Sequence, residues 1–157
     1  MRLLFDDPGR RICAWMTVYP REEIEAAFRH QRELNDTQQW DAYADLFTED
    51  GVYVEHEWGT FRGPDAIREW IVPCMAPFVN AGWEYPLDWS VIDGNRIIFR
   101  WLNVLPNVDG RAEPYQFAGI TVLEYAGNGK FAYQEDVYNM KECEKVMKEW
   151  FAAGGKF

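Results

Sequence analysis

Residues 45–71 read DLFTEDGVYVEHEWGTFRGPDAIREWI, and this stretch decides how the rest of the chain can be arranged. Its first residues end an amphipathic segment, and residues 49–51 form a turn. Residues 52–58 then alternate as a strand does, and residues 59–63 form a turn or a short return strand. Gly63-Pro64-Asp65 opens a helix, with Pro73 and Pro77 expected to limit it.

The strand in this stretch carries one histidine whose orientation matters. Side chains point alternately to the two faces of a strand. His56 therefore shares a face with Val52 and Val54, while Tyr53 and Glu55 take the other face. This alternation predicts that His56 points where the apolar residues point.

Two helices are predicted before the stretch. Pro20, followed by acidic residues in the first turn, starts a helix that ends near Asp36. Apolar residues spaced by three and four predict a short second helix over residues 37–47. Residues 1–19 are too short for a domain and are interpreted as an N-terminal arm of one domain that spans residues 1–157.

After the stretch, turn signals divide the chain into strands. Asp93-Gly94-Asn95 and Gly127-Asn128-Gly129 are hairpin signals, and Gly119 marks a possible bulge. The predicted strands cover residues 83–92, 96–105, 115–125 and 131–140, and a final helix covers residues 141–151. Helices followed by a meander of strands indicate an α+β fold.

The order of these elements, with EDGVYVE and the Gly-x-Phe-x-Gly-x-x-Ala-Ile turn at residues 59–67, resembles the NTF2-like superfamily. Within it, the resemblance is to the SnoaL-like polyketide cyclase, ketosteroid isomerase and scytalone dehydratase branch, over residues 20–140. It implies a cone: a strongly curved, mainly antiparallel sheet with three helices on its concave face and a C-terminal helix. It also implies an open mouth for a small apolar ligand, and a homodimer formed through the outer sheet face.

His56 is the first candidate catalytic residue. The resemblance places this strand position inside the cone, where ketosteroid isomerases carry a basic Asp. An imidazole titrates near neutral pH and can serve as acid or base there, although ketosteroid isomerisation itself is then in doubt. The alternative is a hydrogen-bonded core histidine with no catalytic role.

Asp136 is the second candidate catalytic residue. Residues 131–139 are similar to the strand of limonene epoxide hydrolase and SnoaL-like cyclases that carries an acid/base Asp, and Asp136 takes the matching position. Glu135 points the other way. A His and an Asp in one apolar cavity would shift each other's pKa and exclude water from a proton transfer. The alternative is a solvated or ion-paired carboxylate.

Four further residues are candidates for substrate binding, by hydrogen bonding or by ring stacking: Tyr43, Trp101, Asn103 and Tyr138. Core packing is the alternative for each. Arg100 lies on the opposite strand face from Asn103, and this region lacks the second acid that would complete the Arg-Asp pairing of the epoxide hydrolases.

Composition narrows the classes of partner. A net charge of −10 and a sequence pI near 4.6 disfavour binding to nucleic acids and anionic membranes. Aromatic residues make up 17% of the chain. Such a content favours an apolar cavity or a large interface, although a core rich in rings would also account for it.

Neither a metal nor a cofactor is predicted. Consecutive residues in Glu55-His56-Glu57 face opposite ways and cannot chelate one ion together. The three cysteines, Cys13, Cys74 and Cys143, are widely spaced and show neither a disulfide framework nor a zinc motif. With no signal-peptide pattern and no run long enough to span a bilayer, we expect a cytoplasmic protein.

The sequence therefore predicts a cofactor-free acid/base enzyme, an isomerase, dehydratase or cyclase, that acts on a small hydrophobic, ring-containing or polyketide-like substrate. The competing hypothesis is a non-catalytic module of the same fold that binds a small molecule or a protein partner. A cavity filled by side chains would favour the second hypothesis.

Overall fold

The computed structural model describes residues 17–157. Four helices are present in this part of the chain: α1 (Arg21–Asp36), α2 (Trp40–Ala44), α3 (Gly63–Ala81) and α4 (Met140–Ala152). Six strands accompany them: β1 (Phe47–Glu55), β2 (Gly59–Arg62), β3 (Leu87–Asp93), β4 (Arg96–Leu105), β5 (Tyr115–Gly127) and β6 (Lys130–Tyr138).

The strands form one curved, unclosed sheet in the order β2-β1-β6-β5-β4-β3. β1 and β6 are parallel, and every other pair is antiparallel. The helices cover the concave face, which confirms the predicted α+β cone. No helix within residues 17–157 is long and apolar enough to cross a membrane.

The core lies between the concave face and the helices. Along β5 the odd-numbered residues from Tyr115 to Tyr125 are buried, and the residues between them are partly or fully exposed. Ile24 of α1, Ile67 and Ile71 of α3, and Trp150 of α4 pack into the same core at 2% exposure or less. Period two in the sheet and helical spacing in α1 and α3 are thus combined in one apolar layer.

The proline-containing helix is longer than predicted. α3 runs through Pro73 and Pro77 to Ala81, so the prediction that these prolines limit it is wrong. Both are exposed and lie four residues apart on one face. The backbone carbonyls that lose a partner at each proline can therefore be hydrated, which reduces the cost of an interior proline.

The start of β1 and the extent of α2 also differ from the prediction. β1 begins at Phe47, since Phe47 already pairs with Phe131 of β6, and residues 49–51 form an irregularity inside the strand where the register shifts. α2 is shorter than the predicted helix over residues 37–47. Pairing with β6 has extended the strand at the expense of the helix.

The predicted N-terminal arm lies mostly outside the described residues. Its last residues contact the β3–β4 and β5–β6 turns: the Tyr19 hydroxyl donates to the Ala126 carbonyl at 2.6 Å, and Asn95 Nδ2 donates to the Thr17 carbonyl at 2.7 Å.

Candidate active site

A cavity of about 470 Å³ lies between the concave face of the sheet and the helices. Aromatic rings dominate its wall, among them Trp40, Trp70, Trp83, Phe99 and Phe117. A cavity of this size can hold a small ring-containing molecule. The many aromatic residues of the sequence therefore line a cavity as well as filling a core.

Asp136 lies in the cavity wall and is 8% exposed. Its Oδ2 accepts a hydrogen bond from the Tyr53 hydroxyl at 2.5 Å, and its Oδ1 accepts one from the Thr121 hydroxyl at 2.6 Å. Gln134 Nε2 donates to the two oxygens at 3.1 and 3.3 Å. Three neighbouring side chains thus fix the carboxyl group in one orientation.

Burial raises the pKa of Asp136 above its usual range. The hydrogen bonds from Thr121, Tyr53 and Gln134 oppose this change, and the nearby Glu55 charge adds to it. Removal from water and a neighbouring like charge both favour the protonated acid. The pKa of Tyr53 is also well above its usual value, because the hydroxyl is buried and faces the Asp136 carboxylate.

A chain of hydrogen bonds connects Asp136 to the helices. Gln31 Nε2 of α1 donates to the Tyr43 hydroxyl at 2.6 Å, and that hydroxyl donates to Gln134 Oε1 at 2.9 Å. Tyr43, a predicted substrate-binding residue, is 2% exposed and lines the cavity. In this geometry it holds Gln134, which in turn holds the carboxyl group of Asp136.

Glu55 provides a second carboxylate next to Asp136. The two residues are register partners on the parallel strands β1 and β6, and both line the cavity. Neighbouring strands lie about 5 Å apart, so the two side chains leave the sheet side by side. The backbone N–H groups of Glu57 and Trp58 donate to Glu55 Oε2 at 2.8 Å, while Oε1 is buried without a partner.

Trp101 and Tyr138 line the cavity on either side of Gly119, their register partner on β5. The indole of Trp101 lies over Gly119 and donates from Nε1 to the Thr121 hydroxyl at 2.8 Å. The strand register is continuous through Gly119 and shifts instead between Glu124 and Gly127, so the predicted bulge is wrong. The glycine makes room for an indole ring.

Asn103 is 6% exposed and lines the cavity, and its Nδ2 is buried without a partner. Tyr138 is only partly buried, and burial together with the Glu55 carboxylate raises the pKa of its hydroxyl. All four predicted substrate-binding residues thus line one cavity. Their contacts with a substrate stay a prediction.

His56 lies elsewhere, so its predicted placement inside the cone is wrong. The residue follows β1 directly, its side chain is 55% exposed, and Nε2 is 2.8 Å from Oε1 of Glu135 on the outer side of the sheet. Tyr53 and Glu55 are 5% exposed, whereas Val52 and Val54 are only half-buried. The aromatic and acidic residues of β1 face the cavity, and the valines do not.

The buried side-chain polar atoms without a partner in residues 17–157 belong to residues that line this cavity. Among residues 17–157, nine buried side-chain nitrogen or oxygen atoms lack a hydrogen-bond partner, and all nine belong to residues that line it: Gln31, Arg32, Asn35, Trp40, Glu55, Trp70, Trp83, Tyr85 and Asn103. Buried polar groups normally find partners. A bound molecule or ordered water can supply the missing partners. No three His, Cys, Asp or Glu side chains in the described part are grouped to hold a metal ion.

Sequence reasoning missed Tyr53, Glu55, Thr121 and Gln134. The available signal was the parity of β6: once Asp136 faces inward, Gln134 does too, and the parallel partner positions on β1 follow. That inference needs the β1–β6 register, because about half of the chain lies between β1 and β6.

Comparisons with known proteins agree with this architecture. The family model described as "SnoaL-like domain" matches residues 24–134. No curated protein sequence matches the chain.

Similar solved structures include an LEH-like epoxide hydrolase from M. tuberculosis, at 16% identity and a TM-score of 0.66, covering 84% of this chain and 94% of that one. TerC co-crystallised with polyporic acid has 14% identity and a TM-score of 0.62 over 80% and 98% of the chains. A putative SnoaL-like polyketide cyclase from Shewanella denitrificans OS-217 has 10% identity and a TM-score of 0.63 over 82% and 99%. At these identities the structures share the fold. Because the family model covers most of the sequence, the chain belongs to the SnoaL-like domain family.

Proposed function

We propose that this protein is an acid/base enzyme that transfers protons to and from a small, ring-containing, largely apolar substrate bound in the cavity. The observation that carries the proposal is Asp136: a buried carboxyl group in the wall of an open apolar cavity, with a raised pKa and two hydroxyl partners. Catalytic acids and bases need a pKa moved toward the working pH.

Asp136 can take or give a proton at the substrate. As a carboxylate it removes a proton from a carbon next to a carbonyl, or from a hydroxyl or bound water, and as an acid it returns the proton to another atom. The Tyr53 and Thr121 hydroxyls donate to the carboxylate and stabilise its charge after the proton has left. Isomerisation, dehydration and ring closure all share this step.

Glu55, rather than His56, lies in the cavity wall beside Asp136. Its Oε1 accepts no direct hydrogen bond from residues 17–157, and its fixed Oε2 holds the side chain against the backbone turn. We propose that Glu55 accepts a hydrogen bond from a substrate hydroxyl or a water molecule beside Asp136. Two carboxylates on adjacent strands can divide the roles of acid and base between them.

The comparisons support a catalytic site with a range of possible reactions. Neighbouring structures are described as an epoxide hydrolase and a putative polyketide cyclase, and a third was co-crystallised with polyporic acid. Fold alone does not decide among these chemistries. The competing role, ligand binding without turnover, uses the same cavity and differs only in what Asp136 does.

The test uses a panel of cyclic ketones, hydroxyketones and epoxides in D2O, followed by NMR for product formation and for exchange of carbon-bound hydrogens. Asp136→Asn keeps the shape of the side chain and should slow the reaction of any converted compound at least ~100-fold. Glu135→Gln, one residue away on the outer face, is the matched control and should change the rate less than about twofold.

An Asp136→Asn rate equal to the wild-type rate would overturn the proposal. So would panel compounds that bind in the cavity but undergo neither conversion nor exchange, and that result would favour the binding module. Circular dichroism of each variant separates a lost reaction from a lost fold.

We also propose that the outer sheet face forms a homodimer. Three large apolar side chains lie in one register row there and are 40 to 49% exposed: Val137 on β6, Ile120 on β5 and Trp89 on β3. Arg100 of β4 completes the row and forms an ion pair with Asp88. An apolar row with a polar member suits a symmetric contact between two copies.

A further inference from the structure

The charges around the cavity are unevenly placed. Glu55, Glu57 and Asp136 line it on the side of β1 and β6, and Arg32 of α1 is the one Lys, Arg or His among the described residues of its wall. A buried cation opposite a group of carboxylates makes one end of the cavity positive and the other end negative. A ligand with a negative end has one orientation that fits.

Arg32 is held rigidly. It is 8% exposed, and its Nη2 donates to Asp36 Oδ1 at 2.7 Å and to the Tyr85 carbonyl oxygen at 2.6 Å. The guanidinium carbon lies 5.6 Å from the centre of the Phe99 ring. Both hydrogens of Nη2 are thus used within the protein, and the N–H groups of Nε and Nη1 are left for another acceptor.

The hydrogen-bonding capacity of this group is not filled by residues 17–157. Within that range Arg32 Nε is buried without a partner, and Asp36, with which Arg32 forms an ion pair, has a side chain that is 59% exposed. The Tyr85 hydroxyl, also unpartnered, lines the same cavity, and burial raises its pKa so that it keeps its proton. Both groups can donate to a ligand oxygen.

The distance between the two ends follows from the sheet. Asp136 pairs with Thr121, and Thr121 pairs with Phe99, so Phe99 lies two strands from Asp136. At about 4.8 Å for each strand, that separation is roughly 10 Å. Arg32 lies over Phe99, so its charge and the reacting carboxyl group are about one fused-ring system apart.

We infer that Arg32 anchors a carboxylate carried by the substrate. The ring system then extends across the cavity and brings its other end to Asp136. The substrate class is a flat, apolar ring compound with one carboxylate. This inference rests on the proposed function for the reaction at Asp136, but the anchoring can be measured without any turnover.

The experiment compares naphthalene-2-carboxylate with naphthalene-2-carboxamide, which has nearly the same shape and no charge. Isothermal titration calorimetry at neutral pH should show the carboxylate binding at least ~10-fold more tightly to the wild-type protein, because its hydrogen bonds are charge-assisted. Arg32→Met should bring the two affinities within about twofold of each other by lowering that of the carboxylate. Arg21→Gln, an exposed arginine on the same helix, is the matched control and should keep the wild-type ratio.

Equal affinities of the wild-type protein for the two compounds would overturn the inference, as would an unchanged ratio in Arg32→Met. If that variant does not fold, Arg32→Gln carries the same expectation. Asp136→Asn should keep the preference for the carboxylate. Loss of the preference only at Arg32, together with full turnover by Asp136→Asn, would remove the proposed function and leave the anchoring site standing.

Discussion

Neighbouring residues of β6 and the end of β1 lie on opposite faces of the sheet and in very different surroundings. On the inner face, Glu55 and Asp136 are 5 and 8% exposed and share an apolar cavity. On the outer face, His56 and Glu135 form a pair whose side chains are 55 and 30% exposed. A shift of one residue along a strand therefore separates a carboxyl group with a raised pKa from a solvated, hydrogen-bonded pair.

Apolar character does not identify the inner face of β1. The half-buried valines of β1 face outward, and the residues that line the cavity are Tyr53 and Glu55. A cone that holds a polar reacting group needs hydrogen-bonding side chains on its wall. Parity arguments that assign the aliphatic residues to the inside consequently select the wrong face.

The outer face provides the prediction with the largest effect. Ile120→Lys places a charge in the centre of the apolar row, and a dimer formed there should lose at least ~100-fold in affinity. Sedimentation velocity of the wild-type and variant proteins across a concentration series measures it. Ala152→Lys, the same change of charge on exposed α4, should leave the dimer intact, and a wild-type protein that stays monomeric would remove the proposal.

The inner face provides the next prediction. A Cβ on Gly119 would collide with the indole of Trp101, so Gly119→Ala should lower the free energy of unfolding by about 1–3 kcal/mol. Urea denaturation measures this change. In a Trp101→Leu background, Gly119→Ala should lower the free energy of unfolding much less, because the indole ring that the new Cβ would meet is absent. Equal costs of the alanine in both backgrounds would show that the ring does not explain the glycine.

The smallest effect is expected from a substitution in the exposed pair of His56 and Glu135. His56→Ala removes a solvated partner of Glu135, so the free energy of unfolding should change by less than about 1 kcal/mol. Turnover of any converted substrate should stay within about twofold of the wild-type rate, since a group outside the cavity does not reach the substrate. A loss of turnover comparable to that in Asp136→Asn would show that His56 takes part in the reaction.

Most of the fold could be predicted from the sequence because its signals are local. The limits of β4 agree with the prediction at both ends, and the two hairpins follow their Gly and Asn turns. The long α3 could not be predicted from its two prolines, since their tolerance depends on which side of the helix meets water. The irregular start of β1 depends on its pairing with the distant β6.

The candidate site was only partly predictable. Asp136 was reached through the family resemblance, and Tyr43, Trp101, Asn103 and Tyr138 all line the cavity. Glu55 and Gln134 become visible only through the register between β1 and β6. In the sequence, Arg32 cannot be distinguished from the other polar residues of an amphipathic helix. Its contacts with Phe99 and Tyr85 are visible only in the structure.

The central claim is that β6 turns Asp136 into the apolar cavity and Glu135 away from it. The most direct measurement is a carbon-13 NMR titration of the side-chain carboxyl groups, with the Asp136 signal assigned by its absence in Asp136→Asn. We predict that Asp136 titrates above the ordinary aspartate pKa of 3.8 and that its signal shifts when naphthalene-2-carboxylate binds. An Asp136 pKa at or below that value, with a signal that does not respond to the ligand, would contradict the account.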